Sequence, residues 1–448
     1  MGADHIVLLV HYFPPINSSG AKRMEAMAKY FARAGRTVTV LTSRKTAVDG
    51  AFVEAIPEGA TVIEIDGWGR SAPPAPVALQ DYHRRVAPTA SSRRRIKAAI
   101  MRVFGQLPDP RLKLAFAFLS PILSSDVRAV LAQADVIVAS CPPWPALLAG
   151  IFARWRSGRA KLVLDYRDQF SRCHEMPGTR PAKAVEELID AFLMRNADGV
   201  VAVSDPMSAY YAGFGRAVDT IRNGYDPERI ATAQALAQWQ PRADGAPLMV
   251  RYLGLVTPGR VPVHLLSALD RLHRAGKIAD GSVVFEYYGD ADAMRAAVKA
   301  NYAQIEKFFR FFASVSYGKA LQLIVSSDYL LMCENAVSAL AGEEKSAAGI
   351  LTTKVFEYIA SSRPILADIS SNTLVGQVIR DASSDHFVAD TEGAFEHYLT
   401  TENFWKPQSV AVTDEVRAFS RESQAVEYLT YIDLLVSGTS NRVGDVAA

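Results

Sequence analysis

Short runs of β-branched and leucine residues recur along this chain, separated by stretches whose apolar residues return at helical spacing. The first, Ile6 to Val10, has no polar interruption, the pattern of a strand buried on both faces. A helical stretch follows from about Ala21 to Ala34, with Gly35 as its stop, and then a second strand at Thr37 to Thr42. The alternation continues with apolar strands at Val62 to Ile65, Val136 to Ala139, Lys161 to Leu164, Gly199 to Val203 and Asp219 to Ile221. Strands alternating with helices predict a parallel sheet covered on both sides, an α/β fold.

A polar stretch, Ala231 to Pro247, interrupts this rhythm before a fresh series opens. It predicts strands at Met249 to Leu253, Val283 to Tyr288, Tyr329 to Met332 and Pro364 to Ala367, and helices near His264 to Ala275, Ala320 to Ser326 and Lys354 to Ser361. The expected organisation is therefore an N-terminal domain over 1–230, a linker over 231–247 and a C-terminal domain over 248–419. No internal repeat accompanies it.

Composition narrows the class. With 448 residues, 49% hydrophobic and 21% charged, the chain is a folded globular protein of two or three units. The net charge of +2 gives no global electrostatic reason to expect a nucleic-acid binder. Three cysteines, Cys141, Cys173 and Cys333, match neither a disulfide framework nor a zinc site, which points to a reducing, cytoplasmic setting. The longest apolar stretch, Leu114 to Leu123, contains Pro121 and is far short of the ~20 residues that span a bilayer. A soluble or membrane-peripheral protein is expected.

In open parallel sheets ligands bind at the carboxyl ends of strands, so the loop after the first strand is a candidate site. It reads His11-Tyr12-Phe13-Pro14-Pro15-Ile16-Asn17-Ser18-Ser19-Gly20 and leads into a helix N-terminus, where free amides favour an anionic group. A Pro-rich turn with a helix cap is the alternative. There is no G-x-G-x-x-G and no Walker A sequence, which weighs against a dinucleotide oxidoreductase or a P-loop NTPase.

Tyr12-Phe13-Pro14-Pro15, with Gly20, Arg23 and Gly35 ahead of Val38 to Thr42, resembles the opening of family 4 glycosyltransferases. Further segments are similar in the same order: Cys141-Pro142-Pro143, Asp165-Tyr166-Arg167-Asp168, Val203-Ser204, Asn223-Gly224-Tyr225-Asp226, and Tyr252-Leu253-Gly254 with Gly259-Arg260. Lys354 to Tyr358 running into Arg363 to Ala367, and Phe419 to Glu422, complete the series. The resemblance implies the GT-B architecture, two facing Rossmann-like domains with a sugar nucleotide in the cleft, and a C-terminal helix near 420–436 returning to the first domain. It implies a hexosyltransferase-like enzyme that moves a sugar to an acceptor hydroxyl in cell-surface glycan or glycolipid assembly. Retention of configuration, no metal and no cofactor beyond the nucleotide-sugar substrate are also implied.

The same resemblance assigns residues. Glu357 matches a carboxylate that hydrogen-bonds the donor ribose, a task suited to two acceptor oxygens; a solvated helix-face Glu is the alternative. Lys354 lies three residues earlier on the same helix face. Arg260 follows a glycine turn after the first strand of the second domain. Together Arg260 and Lys354 are expected to meet the donor diphosphate and stabilise its departure, with a loop surface charge as the alternative for Arg260 and an ion-pair partner as that for Lys354. Ser19, Gly20, Gly254 and Gly349 fall on donor-binding segments. At Gly349 the family pattern carries a Glu, so a carboxylate contact to the sugar would have to come from Glu343 or Glu344. Arg167 and Asp168 are acceptor-side candidates, with a structural salt bridge as the alternative; apart from the resemblance, His11 and His174 are further acceptor-side candidates, with a structural histidine as the alternative for each. Asp290-Ala291-Asp292 has the form of a metal-binding D-x-D but follows a strand and Gly289, where it reads as an acidic helix start.

Between Arg84 and Lys113 nine basic residues face one acid, Asp109, a local balance of +8. Apolar Ile96, Ile100, Val103, Phe104 and Leu107 are interleaved at helical spacing. That composition suits a helix on an anionic membrane surface; an ordinary solvated helix face is the alternative, and nucleic acid is disfavoured by the absence of stacking aromatics. Two functional alternatives to transfer remain at this level: a sugar-nucleotide epimerase of the same architecture, and a degenerate chain that binds a nucleotide or partner without turnover.

Overall fold

The structure, a computed structural model, describes residues 2–15, 19–45, 54–73, 99–173, 178–243, 245–334 and 351–438. The chain divides into two units, Met1–Asn223 with Arg421–Ala448, and Gly224–Ser420.

Unit 1 is built on an eight-stranded sheet. Its strands are β1 (His5–Val10), β2 (Thr37–Ser43), β3 (Ala60–Ile65), β4 (Ser71–Ala72), β5 (Val136–Cys141), β6 (Lys161–Tyr166), β7 (Gly199–Ala202) and β8 (Asp219–Thr220). Their order is β4-β3-β2-β1-β5-β6-β7-β8, parallel except for the short β4, which runs against β3. The order reverses at β1, so the carboxyl ends of β1 and β5 flank the switch point where such sheets bind ligands. Apolar layers cover both faces, one including Val7, Leu9, Ile137 and Leu164, the other Ile6, Leu8, Val138 and Val163. That two-sided burial is why the strands are continuous apolar runs rather than alternating ones.

Three helices of unit 1 matter below: α1 (Lys22–Arg33), α2 (Leu112–Ala117) and α3 (Pro145–Ser157). A fourth comes from the end of the chain and packs on α1, with the Phe31 and Tyr428 rings 5.8 Å apart and Arg36 bonded to Asp433 at 2.7 Å.

Unit 2 repeats the plan with β9 (Leu248–Leu253), β10 (Val283–Tyr288), β11 (Phe309–Phe312), β12 (Tyr329–Cys333), β13 (Ile365–Asp368) and β14 (Phe387–Ala389), all parallel, in the order β11-β10-β9-β12-β13-β14. Its site-forming helices are α4 (Pro227–Leu236), α5 (Val263–Arg274), α6 (Tyr317–Val325) and α7 (Thr353–Ile359); the terminal helix, α8, is Arg421–Ser437.

The expected linker at 231–247 is displaced. The break falls at Asn223 and Gly224, and the first third of that stretch is the end of α4, which packs on α6. Asp226 caps α4 by accepting the amides of Glu228 and Arg229 at 3.1 and 3.3 Å, and Pro227 occupies its first turn. The helix is small and polar on its outer side, which disguises it as a linker.

Candidate functional site

The ends of β9, β10 and β12 and the start of α7 bring charge together in unit 2. Both β9 and β10 end in a glycine with positive φ, Gly254 (+124°) and Gly289 (+132°). A Cβ on Gly289 would lie 2.6 Å from the Gly254 carbonyl oxygen, and one on Gly254 would lie 3.2 Å from Lys354 Nζ. Neither position tolerates a side chain without displacement, and the missing atoms leave room for the lysine.

Lys354 Nζ sits 3.8 Å from the centroid of the Tyr252 ring, a cation-π contact. The Tyr252 hydroxyl is tied to the Leu255 carbonyl at 2.9 Å, which fixes the ring beneath the ammonium. Burial pushes Lys354 down to about 8; the Cys333 sulfur and the carboxylates of Glu334 and Glu357 oppose the fall, and Arg260 reinforces it. Arg260, in the turn Pro258–Arg260 after β9, faces Glu334 with Nη2 3.5 Å from Oε1, and its carbonyl accepts from the Cys333 thiol at 2.9 Å. Glu357, one helical turn beyond Lys354, accepts a 2.7 Å hydrogen bond from the Tyr317 hydroxyl. The Tyr317 ring in turn lies under the Arg229 guanidinium at 5.2 Å. Asp368, at the end of β13, accepts the amides of His264 and Leu265 at the start of α5 and pairs with His264 Nδ1 at 2.7 Å.

Four expected donor-side residues, Gly254, Arg260, Lys354 and Glu357, thus meet at one set of strand ends. The two cations converge with a helix-borne carboxylate beside them, an arrangement able to hold a diphosphate and a vicinal diol. Gly349, Glu343 and Glu344 lie outside the described residues. Asp290 accepts the Asp292 amide at 3.3 Å at the head of the helix Asp292–Asn301.

Ser19 and Gly20 belong to unit 1, where a 3-10 turn, Ser19–Ala21, leads into α1. The Gly20 carbonyl accepts from Arg167 Nη1, and a Cβ there would meet that nitrogen at 3.2 Å and the Tyr12 ring at 3.3 Å. Arg167 is buried, donates also to the Pro142 carbonyl at 2.8 Å, and lies 5.9 Å from the Tyr12 centroid. It is therefore held by main-chain carbonyls, while Asp168 beside it is exposed. Asp165, two residues before Arg167, is structural. It is fully buried, takes Arg23 Nη2 at 2.9 Å and Nε at 3.1 Å on one oxygen, and accepts Ser140 Oγ at 2.8 Å on the other. His11, at the end of β1, bonds through Nδ1 to Ser43 Oγ, and its carbonyl accepts from Lys45 and, at 3.2 Å, from Thr42. His174 lies outside the described residues.

Residues 20–224 match the glycosyl transferase 4-like domain. The first unit thus carries a segment similar to glycosyl transferase 4-like domains.

No curated protein sequence matches this chain at a significant level. Its fold is GT-B, as in solved structures that it resembles. Sucrose-phosphate synthase from Thermosynechococcus elongatus aligns over 97% of this chain and 100% of its own, with a TM-score of 0.58 at 13% identity. HepE from Anabaena, solved with UDP and glucose, aligns over 97% and 98% with a TM-score of 0.51 at 14% identity. The lipopolysaccharide outer core galactosyltransferase WaaB aligns over 95% and 99% with a TM-score of 0.53 at 12% identity.

Sequence patterns gave no role to Tyr252, which was seen only as part of a motif, and missed Tyr317, Arg229 and Glu334. Glu334 carried a usable signal, an acid directly after the buried strand β12, where strand-end residues face ligands. Tyr317 carried none, since its partner is forty positions away.

Proposed function

We propose that this enzyme transfers a sugar from a nucleoside diphosphate sugar to an acceptor hydroxyl in cell-surface glycan or glycolipid assembly. The donor binds at the strand ends of unit 2, with Glu357 on the ribose hydroxyls and Arg260 and Lys354 on the diphosphate. The observation that carries this is the convergence of those two cations beside Glu357 over a floor of two glycines. UDP in the HepE structure, and ADP in the similar starch synthase IV structure from Arabidopsis thaliana, fit a nucleotide donor.

Negative charge grows on the diphosphate as the glycosidic bond breaks. Two fixed cations meet that charge, so the reading requires neither a metal ion nor a further cofactor. The acceptor attacks the face the leaving group vacates, and the configuration is retained. Glu334 holds Arg260 before the donor arrives; the incoming phosphate then shares or displaces that carboxylate. His11, Arg167 and Asp168, at the strand ends of unit 1, are the acceptor-side groups, and Ser19 and Gly20 offer helix-start amides to an anionic group. With Gly349 in place of a carboxylate, the donor sugar is held chiefly through its diphosphate.

The test is kinetic. Arg260→Ala and Lys354→Ala should lower kcat by about 10²- to 10³-fold, the cost typical of losing one preorganised charge contact, while donor Kd rises far less. Near-wild-type kcat with only weakened affinity would make both residues anchors and refute their role in bond breaking.

A further inference from the structure

Asp368 and His264 form a further constellation at the strand ends of unit 2, and the transfer chemistry above gives it no role. Asp368 is buried at the end of β13, in register with Cys333 at the end of β12, and the Cys333 thiol reaches the Arg260 carbonyl at 2.9 Å. The carboxylate is therefore one strand away from the residue that holds the Arg260 turn. One of its oxygens accepts the opening amides of α5, from His264 at 2.9 Å and Leu265 at 3.1 Å, and the other meets the imidazole Nδ1 at 2.7 Å.

Two consequences follow from these contacts. The opening amides of α5 are occupied by Asp368, so this helix start is closed to another anion. The imidazole is held through Nδ1, which leaves Nε2 directed away from the carboxylate. Nε2 has no partner among the described residues, and the His264 side chain is 39% exposed while that of Asp368 is only 4% exposed. A buried carboxylate on the inner nitrogen of a half-exposed imidazole fixes its tautomer and stabilises the imidazolium that forms when the outer nitrogen takes a proton.

The charge around the pair favours such a cation once a phosphate is present. Arg260 and Lys354 stand among three carboxylates, Glu334, Glu357 and Asp368, and burial already pulls Lys354 down. The remaining titratable neighbours add no cation: burial pushes the Cys333 thiol up to about 12 and keeps Tyr287, on β10, neutral. Farther along α5, Arg271 pairs with Glu392 and Glu396. A diphosphate arriving here brings more negative charge to a place where carboxylates outnumber the fixed cations.

We propose that His264 is a third cationic contact for the donor diphosphate: Nε2 takes a proton from solvent as the phosphate arrives, keeps it, and donates a hydrogen bond to a phosphate oxygen. Asp368 is the positioning residue behind it. The inference rests on the donor site proposed above and adds one contact to it.

The experiment is calorimetric titration of UDP, ADP and GDP into the full chain at about pH 7, in two buffers of different ionisation heat, which yields affinity and proton uptake together. Whichever diphosphate binds the wild type should bind His264→Gln about 10-fold more weakly, the cost of one hydrogen bond to a charged group at a half-exposed site, and with a smaller proton uptake. Proton exchange on the nucleotide and on Lys354 is common to both proteins, so the difference reports His264. His264→Lys carries its own charge and should recover affinity without recovering the uptake. Asp368→Asn, whose side-chain oxygen can still cap α5, should lower the uptake as His264→Gln does. Equal affinity in wild type and His264→Gln overturns the proposal and leaves the donor site standing. So does weaker binding with unchanged uptake, the mark of a ring that only packs. A wild type that binds none of the three diphosphates overturns the donor site itself and this contact with it.

Discussion

Replacing Tyr317 by Phe removes one oxygen and leaves the ring under Arg229, so it isolates the hydroxyl that holds Glu357. That hydrogen bond is 2.7 Å long and ends on a carboxylate at a half-buried site. Bonds to charged groups contribute about 1.5–3 kcal/mol, and water entering the half-open site recovers part of that. About 1 to 1.5 kcal/mol should therefore be lost from donor binding, a roughly 5- to 10-fold rise in Kd, as Glu357 loses its fixed orientation toward the ribose. The turnover number should change little, because the ribose contact is equal in ground and transition states. The assay is calorimetric titration of the nucleotide into wild type, Tyr317→Phe, Glu357→Ala and the double variant. In the Glu357→Ala background the tyrosine change should have no further effect, since the group it positions is gone. Equal penalties for Tyr317→Phe in both backgrounds would refute the positioning role and leave the tyrosine as a packing residue.

Lys354, at about 8, loses its charge as pH rises through that value, so kcat/KM should fall on the alkaline side with an apparent pKa near 8, while Lys354→Arg should move that limb beyond the accessible range. Gly254→Ala places a Cβ 3.2 Å from Lys354 Nζ at a φ of +124°. It should cost about 1–3 kcal/mol of stability, read by denaturant unfolding, and weaken donor binding. Asp190 is buried with hydrogen bonds from Tyr166 (2.8 Å) and the Ser171 amide (3.1 Å), and burial pushes it up to about 6. Its folded form holds a proton that the unfolded form has released, so its contribution to stability is full below about 4 and is lost as pH rises through about 6. The wild type minus Asp190→Asn difference in unfolding free energy should drop by up to about 3 kcal/mol over that window.

Where burial is two-sided, as in Ile6 to Val10 or Tyr329 to Met332, apolar runs made the strands legible. Edge strand β11 escaped because Phe-Arg-Phe-Phe follows a short 3-10 turn without a Gly or Pro boundary, and its arginine sits in the middle. Lys354 and Glu357 were legible together because their relation is local, one helical turn. The environment that lowers Lys354 was not, since Tyr252, Arg260 and Glu334 reach it only through the parallel pairing of β9 with β10 and β12. Arg23 and Asp165 were visible as separate motif residues. That they form one buried ion pair depends on the long Arg23 side chain reaching from α1 to the end of β6, a contact 142 positions apart in the chain.

The central claim is that Glu357, Lys354 and Arg260 form a nucleotide site in unit 2. Titration of UDP, ADP and GDP into wild-type protein and Glu357→Ala tests it most directly. At least one of the three should bind the wild type, and that one should bind Glu357→Ala about 10- to 100-fold more weakly, with the thermal transition of the unliganded protein unchanged. A nucleoside diphosphate that binds both proteins equally, or a wild type that binds none of the three, would contradict it.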